Sequence, residues 1–130
     1  MNRAEKVKGS NMTFTVTALL EGIWFGLGGL LIPGVFLQMA FGEASTLELY
    51  LLRSIGIITI ALAIGCWYAR TGDRAEVKLM SLIMSVAKVG STIVLLFMMI
   101  GLGASALGYI SPILTAIMAY LNVKLYTIAA

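Results

Sequence analysis

Four long apolar runs dominate this sequence, at residues 12–32, 47–69, 79–100 and 111–128. A helix needs about 20 mostly apolar residues to cross the hydrocarbon of a bilayer, and each run is close to that length. Lipid offers no partner to backbone polar groups, so a single segment that crosses it does so as a helix. We therefore predict an all-α integral membrane protein, a bundle of four transmembrane helices that forms one domain over residues 1–130.

A break and a short apolar segment separate the first run from the second. Pro33 disfavours a helical conformation in the residue before it, and Gly34 suits a turn. The segment 35–41 that comes next is apolar but too short to span a membrane. We predict a short helix there, which lies at the membrane interface or packs against the mouth of the bundle.

The composition agrees with a membrane protein and argues against several kinds of site. The chain is 60% hydrophobic and 12% charged, whereas soluble domains average about 25% charged residues. One cysteine, Cys66, excludes an internal disulfide, and no histidine is present. Histidine is the commonest metal ligand and general base, so we expect no metal, no cofactor and no catalytic residue set. Most basic residues flank the apolar runs, so we do not expect a nucleic-acid partner.

Basic residues also predict how the chain is oriented, because cytoplasmic loops carry an excess of Lys and Arg. If the chain crosses four times, seven basic residues fall on one side: Arg3, Lys6, Lys8, Arg70, Arg74, Lys78 and Lys124. The other side holds Glu43, Glu48 and Arg53. This positive-inside pattern predicts cytoplasmic termini (N-in, C-in), with a tail over 1–11 and a loop over 70–78. The expected location is the cell membrane, which in a bacterium is the inner or plasma membrane.

Two charged residues lie deep within the predicted spans. Glu21 follows the start of the first run by nine residues, and Lys88 follows Lys78 by ten. These spacings correspond to depths of about 13 and about 15 Å from the same side, close to the middle of a hydrocarbon layer about 30 Å thick. We predict an intramembrane Glu21–Lys88 ion pair. Such a pair fixes helix register, titrates during ion or proton movement, or binds a ligand or lipid head group.

A third charge, Arg53, lies about 9 Å inside the outer end of the second run. Two orientations are open to it. It can snorkel outward to the interface, or it can face inward or line the mouth of the bundle. We expect the inward or mouth-lining orientation.

Polar and small residues recur at helical spacing within the runs. A polar stripe facing the bundle interior is predicted from Thr17, Ser81, Ser85, Thr92, Thr115 and Asn122. Small residues that let helices approach closely are Gly22, Gly26, Ala61 and Gly65. We expect the small residues to pack within one bundle, with a seam between two copies as the alternative.

Short motifs in and between the first three runs resemble the DoxX-like small four-helix membrane proteins, most of which have no known function. The motifs are Pro33 with Phe41-Gly42, then Leu52-Arg53-Ser54-Ile55-Gly56, then Tyr68-Ala69-Arg70, and Lys88 in the third run. The likeness covers about residues 18–90. It implies a compact four-helix bundle and little about activity, since a fold does not fix a function. Some members of the group look like subunits of membrane oxidoreductases.

Three functions are compatible with these features as hypotheses. The first is a non-catalytic accessory subunit of a larger membrane complex, whose partners are the bilayer and other membrane subunits or further copies of the chain. The second is a small oligomeric transporter or channel that uses the Glu21–Lys88 pair. The third is a membrane enzyme acting on a lipid or isoprenoid with Glu21 as its acid–base group, which we rank below the two non-enzymatic functions.

Overall fold

A computed structural model describes residues 7–130, and these residues form helices joined by short connections. Among these residues, four helices are long and apolar enough to cross a membrane, which confirms the predicted helical fold class. They are Ser10–Leu31 (α1), Thr46–Ala69 (α3), Arg74–Gly101 (α4) and Ala106–Ala129, whose α-helical part is Ile110–Ala129 (α5). The short helix Pro33–Phe41 (α2) lies between the first two. Arg3 and Lys6 of the predicted tail lie outside the described residues.

The long helices run up and down in sequence order. We call the end that holds residues 70–73 the hairpin end. The Ser10 hydroxyl donates to the carbonyl of Arg70 at 3.5 Å, and the Arg74 guanidinium donates to the carbonyl of Ala129 at 3.4 Å. The start of α1 and the end of α5 therefore lie at the hairpin end, and α2 lies at the opposite end.

Capping residues determine where α3 and α4 begin. Ser45 accepts a hydrogen bond from the Glu48 amide, and Asp73 accepts one from the Glu76 amide, each in a reciprocal capping box. Helix α4 therefore begins at Arg74 and not at residue 79. The predicted loop 70–78 is too long, because its last five residues, 74–78, already belong to α4.

The connection α2 closes the opposite end of the bundle. Ile32 leaves the helical conformation immediately before Pro33, which then occupies the first turn of α2. Gly42 ends α2 with φ at 76°, a left-handed conformation that suits glycine. The Ser105 amide donates to the carbonyl of Ala40 at 2.8 Å, which holds α2 against the connection between α4 and α5. Of the two predicted locations, the structure has the short helix packed against the bundle mouth.

The last connection contains a short 3₁₀ helix, Ala106–Tyr109, and α5 follows as Ile110–Ala129. Helices α4 and α5 pack along much of their length, and α1 packs closely on α3. By contrast, α3 and α4 touch each other little. The bundle therefore consists of two helix pairs, α1 with α3 and α4 with α5.

Candidate functional site

The segment of α1 that carries Glu21 is π-helical, over Leu20–Leu27. π-Helical turns are rare and occur frequently at functional sites. α-Helical segments, Ser10–Leu19 and Gly28–Leu31, flank it on both sides. No feature of the sequence predicted this change of helical pitch.

The structure brings Glu21 and Lys88 into contact at the centre of the bundle. The Nζ of Lys88 donates to Oε1 of Glu21 at 2.6 Å, and Oε2 lies 2.5 Å from the same nitrogen. Glu21 is 0% exposed and Lys88 is 3% exposed. Oε2 has no hydrogen-bond geometry to Nζ or to any other donor among residues 7–130. The two charges thus neutralise each other away from solvent.

Four of the predicted polar-stripe residues form hydrogen bonds between helices on either side of this pair. The amide of Asn122 donates to the hydroxyl of Thr17 at 3.0 Å. The hydroxyl of Thr92 donates to that of Thr115, also at 3.0 Å. These contacts join α5 to α1 and to α4, so the stripes face one another across the interior.

The other two stripe residues, Ser81 and Ser85, are buried but do not cross between helices. Their hydroxyls donate to the backbone carbonyls of Lys78 and Ser81 in their own helix. These bonds within α4 satisfy the donors of both hydroxyls, so neither serine forms a hydrogen bond to another helix.

Arg53 does not face the bundle interior. Arg53 is exposed, while its neighbour Leu52 takes the inward position and lines a cavity between the helices. Lys88 already supplies the cation opposite Glu21. A second inward cation would lack a counter-ion there, and an unpaired buried charge is strongly unfavourable.

The close helix crossing involves small residues that differ in part from those predicted. Gly22 and Gly26 do face α3, since a Cβ on Gly22 would meet Ala63 and one on Gly26 would meet Ile60. Ala61 is exposed and Gly65 faces Met80 of α4, so the proposed Ala61–Gly65 pair does not form one seam.

Gly56 is a small residue at the crossing that the sequence did not single out. A Cβ there would lie 2.7 Å from the Leu30 amide nitrogen and 2.8 Å from the Gly26 carbonyl oxygen. Only glycine permits such backbone approach. The spacing of the buried small residues Gly56, Thr59, Ala63 and Cys66 follows one helical face and could have indicated this position.

A cavity of about 350 Å³ lies between the ion pair and α2. Its walls are mostly apolar or aromatic and come from every helix of the bundle; they include Trp24, Phe25, Phe36, Leu52, Val94, Met98 and Leu107. Among the described residues that line it, Lys88 is the one charged side chain. Hydroxyls of Thr59, Ser91, Ser111 and Thr115 also line it. The predicted pair therefore forms one end of a cavity that the sequence did not reveal.

An aromatic pair forms part of the cavity wall. The indole nitrogen of Trp24 donates to the hydroxyl of Ser111 at 3.2 Å. The Trp24 ring meets Phe36 edge to face, with centroids 5.1 Å apart. Trp24 is thus held between α5 and α2, with its ring at the cavity.

The bundle interior on the hairpin side of the ion pair is filled by side chains. A buried cluster there includes Phe14, Met84 and Leu125, with Val77 and Cys66. Phe14 and Met84 are fully buried. The cavity is therefore on one side of the pair, and packed core is on the other.

The fold is a helical bundle with four helices suited by length and apolarity to a membrane, and its candidate site is an apolar cavity that ends at a buried ion pair. In comparisons with known proteins, no family model, no curated protein and no solved structure matches this chain. Its function is therefore inferred from the chemistry of the site.

Proposed function

We propose that this chain is a multi-pass membrane protein that binds a small, mostly apolar molecule in the cavity next to Lys88. The observation that carries the proposal is the cavity itself, which combines apolar walls with one buried charged donor. Small-molecule sites have this character, with volumes of roughly 300–1,000 Å³ and few polar groups. The resemblance to DoxX-like proteins implies a four-helix bundle and does not indicate a ligand.

The proposed orientation is N-in and C-in. It is supported by Lys8, Arg70, Arg74 and Lys78, which lie at or near the hairpin end, while Glu43 and Glu48 lie at the opposite end. By the positive-inside rule the hairpin end is cytoplasmic. The cavity then lies in the outer half of the membrane.

Tryptophan fluorescence tests ligand binding directly. The chain has two tryptophans, and Trp67→Phe leaves Trp24 in the cavity wall as the sole emitter. Bromododecane, a quencher without a polar head, is titrated into nanodiscs that contain this variant. We expect quenching that saturates, because the cavity has a limited capacity.

The matched control is Trp24→Phe, which retains Trp67 near the hairpin end and outside the cavity. It reports only the quencher dissolved in the bilayer. If Trp24 and Trp67 are quenched alike and without saturation, the cavity does not bind the probe and the proposal is overturned.

The packed core on the hairpin side favours binding over conduction. A transporter or channel built on the Glu21–Lys88 pair needs a passage on both sides of it, and Phe14, Met84 and Leu125 fill the hairpin side. We therefore place the transport hypothesis below the binding hypothesis.

An accessory-subunit role is the second candidate, favoured by the shallow contact between α3 and α4. Gly90 on α4 is exposed, and a Cβ there would meet nothing within 4 Å. Exposed small residues let a helix of another protein approach closely. Gentle purification from the native membrane in nanodiscs tests this role; a chain that consistently emerges alone would argue against it.

A further inference from the structure

The ammonium group of Lys88 has hydrogen-bonding capacity that its own protein does not use. A lysine ammonium has three N–H donors. Both carboxylate oxygens of Glu21 lie within 2.6 Å of Nζ, and together they engage two N–H groups at most. The Phe25 ring, with its centroid 5.3 Å from Nζ, offers a cation–π contact and no lone pair. Among the described residues, at least one N–H has no acceptor oxygen.

This free donor lies at the cavity. Hydroxyls of Thr59, Ser91, Ser111 and Thr115 also line the cavity, but none of them accepts a hydrogen bond from Nζ, whose one hydrogen-bond acceptor among the described residues is Oε1 of Glu21. Lys88 is 3% exposed and lines the cavity. A buried donor without an acceptor is unfavourable, so a ligand that brings an acceptor oxygen to Nζ gains a charge-assisted bond.

The charge of the ligand head is restricted by Glu21. The Glu21–Lys88 pair is neutral as a unit, so an anionic head would add an uncompensated negative charge to an apolar site. A cationic head would face Lys88 and bring no acceptor. A neutral carbonyl oxygen meets both conditions, because it accepts a hydrogen bond and carries no net charge.

The route of access lies between α3 and α4. Ile55 on α3 and Gly90 and Val94 on α4 line the cavity and are also exposed on the bundle's surface. These two helices meet near the hairpin end, where Gly65 faces Met80. Away from that end, the cleft between them connects the cavity with the surface that faces hydrocarbon in a membrane.

We propose that the ligand is a neutral single-chain acyl lipid, a molecule with an ester or amide carbonyl, which enters between α3 and α4. Its carbonyl oxygen accepts a hydrogen bond from Lys88, and its chain occupies the apolar part of the cavity. The volume of about 350 Å³ is near the lower limit for ligand sites and suits one chain. This inference rests on the proposed function and specifies the ligand of the same site.

The test uses Trp67→Phe protein in nanodiscs of ether-linked phosphatidylcholine, whose chains carry no ester carbonyl. Four bromine-tailed probes of equal chain length are titrated: a monoacylglycerol, the glycerol alkyl ether that lacks only its carbonyl, a fatty-acid anion, and a bromoalkane without a head. We expect the monoacylglycerol to bind about tenfold or more tightly than the bromoalkane, which brings no acceptor oxygen to the charged donor. The ether shares the glycerol oxygens of the monoacylglycerol, so weaker binding of the ether identifies the carbonyl oxygen as the acceptor.

The variant Glu21→Gln/Lys88→Met removes both charges together and so leaves no unpaired ion in the core. We expect it to bind the bromoalkane as before and to lose the preference for the ester over the ether. Retained bromoalkane binding shows that the cavity has survived the change.

The outcomes separate the two proposals. If all four probes saturate with equal affinity, or the anion binds most tightly, the cavity binds ligands but the neutral acyl class is wrong. If the double variant keeps the ester preference, Lys88 is not the donor. If no probe saturates, the proposed function itself is overturned.

Discussion

The Nζ of Lys88 on α4 lies 2.6 Å from Oε1 of Glu21 on α1, and this is the buried ion pair that links the two helix pairs. The two residues are 67 positions apart in the chain. Both helices run in the same direction from the hairpin end, so residues at equal depth can meet. The pair thus joins the α1–α3 half of the bundle to the α4–α5 half at the inner end of the cavity.

Neutralising one member of this pair is predicted to destabilise the fold far more than neutralising both. Glu21→Gln leaves the Lys88 ammonium buried without a counter-ion, which costs about 3–5 kcal/mol. Glu21→Gln/Lys88→Met removes both charges and is expected to lie within about 1–2 kcal/mol of the parent. SDS titration in mixed micelles measures both values. Equal destabilisation by the single and the double change would contradict the prediction.

Gly56→Ala is predicted to destabilise the bundle by about 1–3 kcal/mol, the usual effect of overpacking. Its Cβ would lie within 2.8 Å of backbone atoms of α1, which cannot move aside as a side chain can. Gly90→Ala is the matched control, since nothing lies within 4 Å of its Cβ. It is expected to be neutral or to stabilise the helix by up to about 1 kcal/mol. Thermal unfolding in detergent compares the two variants, and similar melting temperatures would count against the close crossing.

The Asn122–Thr17 hydrogen bond is predicted to couple α5 to α1 weakly. A double-mutant cycle of Thr17→Val and Asn122→Ala should give a coupling of about 0.6 kcal/mol, typical of hydrogen bonds between membrane helices. Asn122 also donates to the carbonyl of Met118 at 2.8 Å, so it keeps one partner when Thr17 is changed. A coupling of zero within error, from unfolding free energies of the four proteins, would show that the bond contributes nothing.

The proposed orientation predicts which end of the bundle a membrane-impermeant maleimide can reach from outside a cell. In a Cys66→Ala background, Glu43→Cys should react in intact cells, and Thr71→Cys should react only after permeabilisation. Both positions are exposed on the protein, so a difference in labelling reports which side of the membrane each one is on. Labelling of Thr71→Cys in intact cells would reverse the assigned orientation.

A bulky side chain at Gly90 is predicted to obstruct ligand access between α3 and α4. Gly90→Phe should slow the quenching of Trp24 by the bromine-tailed monoacylglycerol about tenfold in stopped-flow mixing, which corresponds to about 1.4 kcal/mol added to the barrier for entry. Gly101→Phe is the control, because Gly101 is also exposed with open space around its Cβ but does not line the cavity. Equal rates for the two variants would exclude this route.

The sequence predicted the helices well because long apolar runs have few alternatives. Hydropathy puts Arg74, Glu76 and Lys78 in a loop before the apolar run that begins at residue 79, although Asp73 caps a helix that includes all three. Charged residues in the first turns of a membrane helix extend beyond the apolar run, so hydropathy alone cannot locate the helix end.

The contact between Glu21 and Lys88 could be predicted from depth alone, because the two residues lie at similar depths when residues are counted from the same end of the bundle. The orientation of Arg53 could not, because adjacent residues of a helix point about 100° apart, so a difference of one residue separates Leu52, which lines the cavity, from Arg53, which is exposed. The cavity could not be predicted from the sequence either. Its volume depends on how far α3 and α4 diverge, which is a property of packing and not of any one residue.

The sparse contact between α3 and α4 has a mechanical consequence. Gly56 fixes α1 against α3 at backbone distance, and α4 packs on α5 along much of its length, so each pair moves as a stiff body. A rotation of one pair relative to the other about the four-residue turn 70–73 displaces the Glu21–Lys88 contact, midway along the bundle, less than the far end. Small angular changes at that turn therefore give the largest displacements at the far end, where they widen or narrow the cleft.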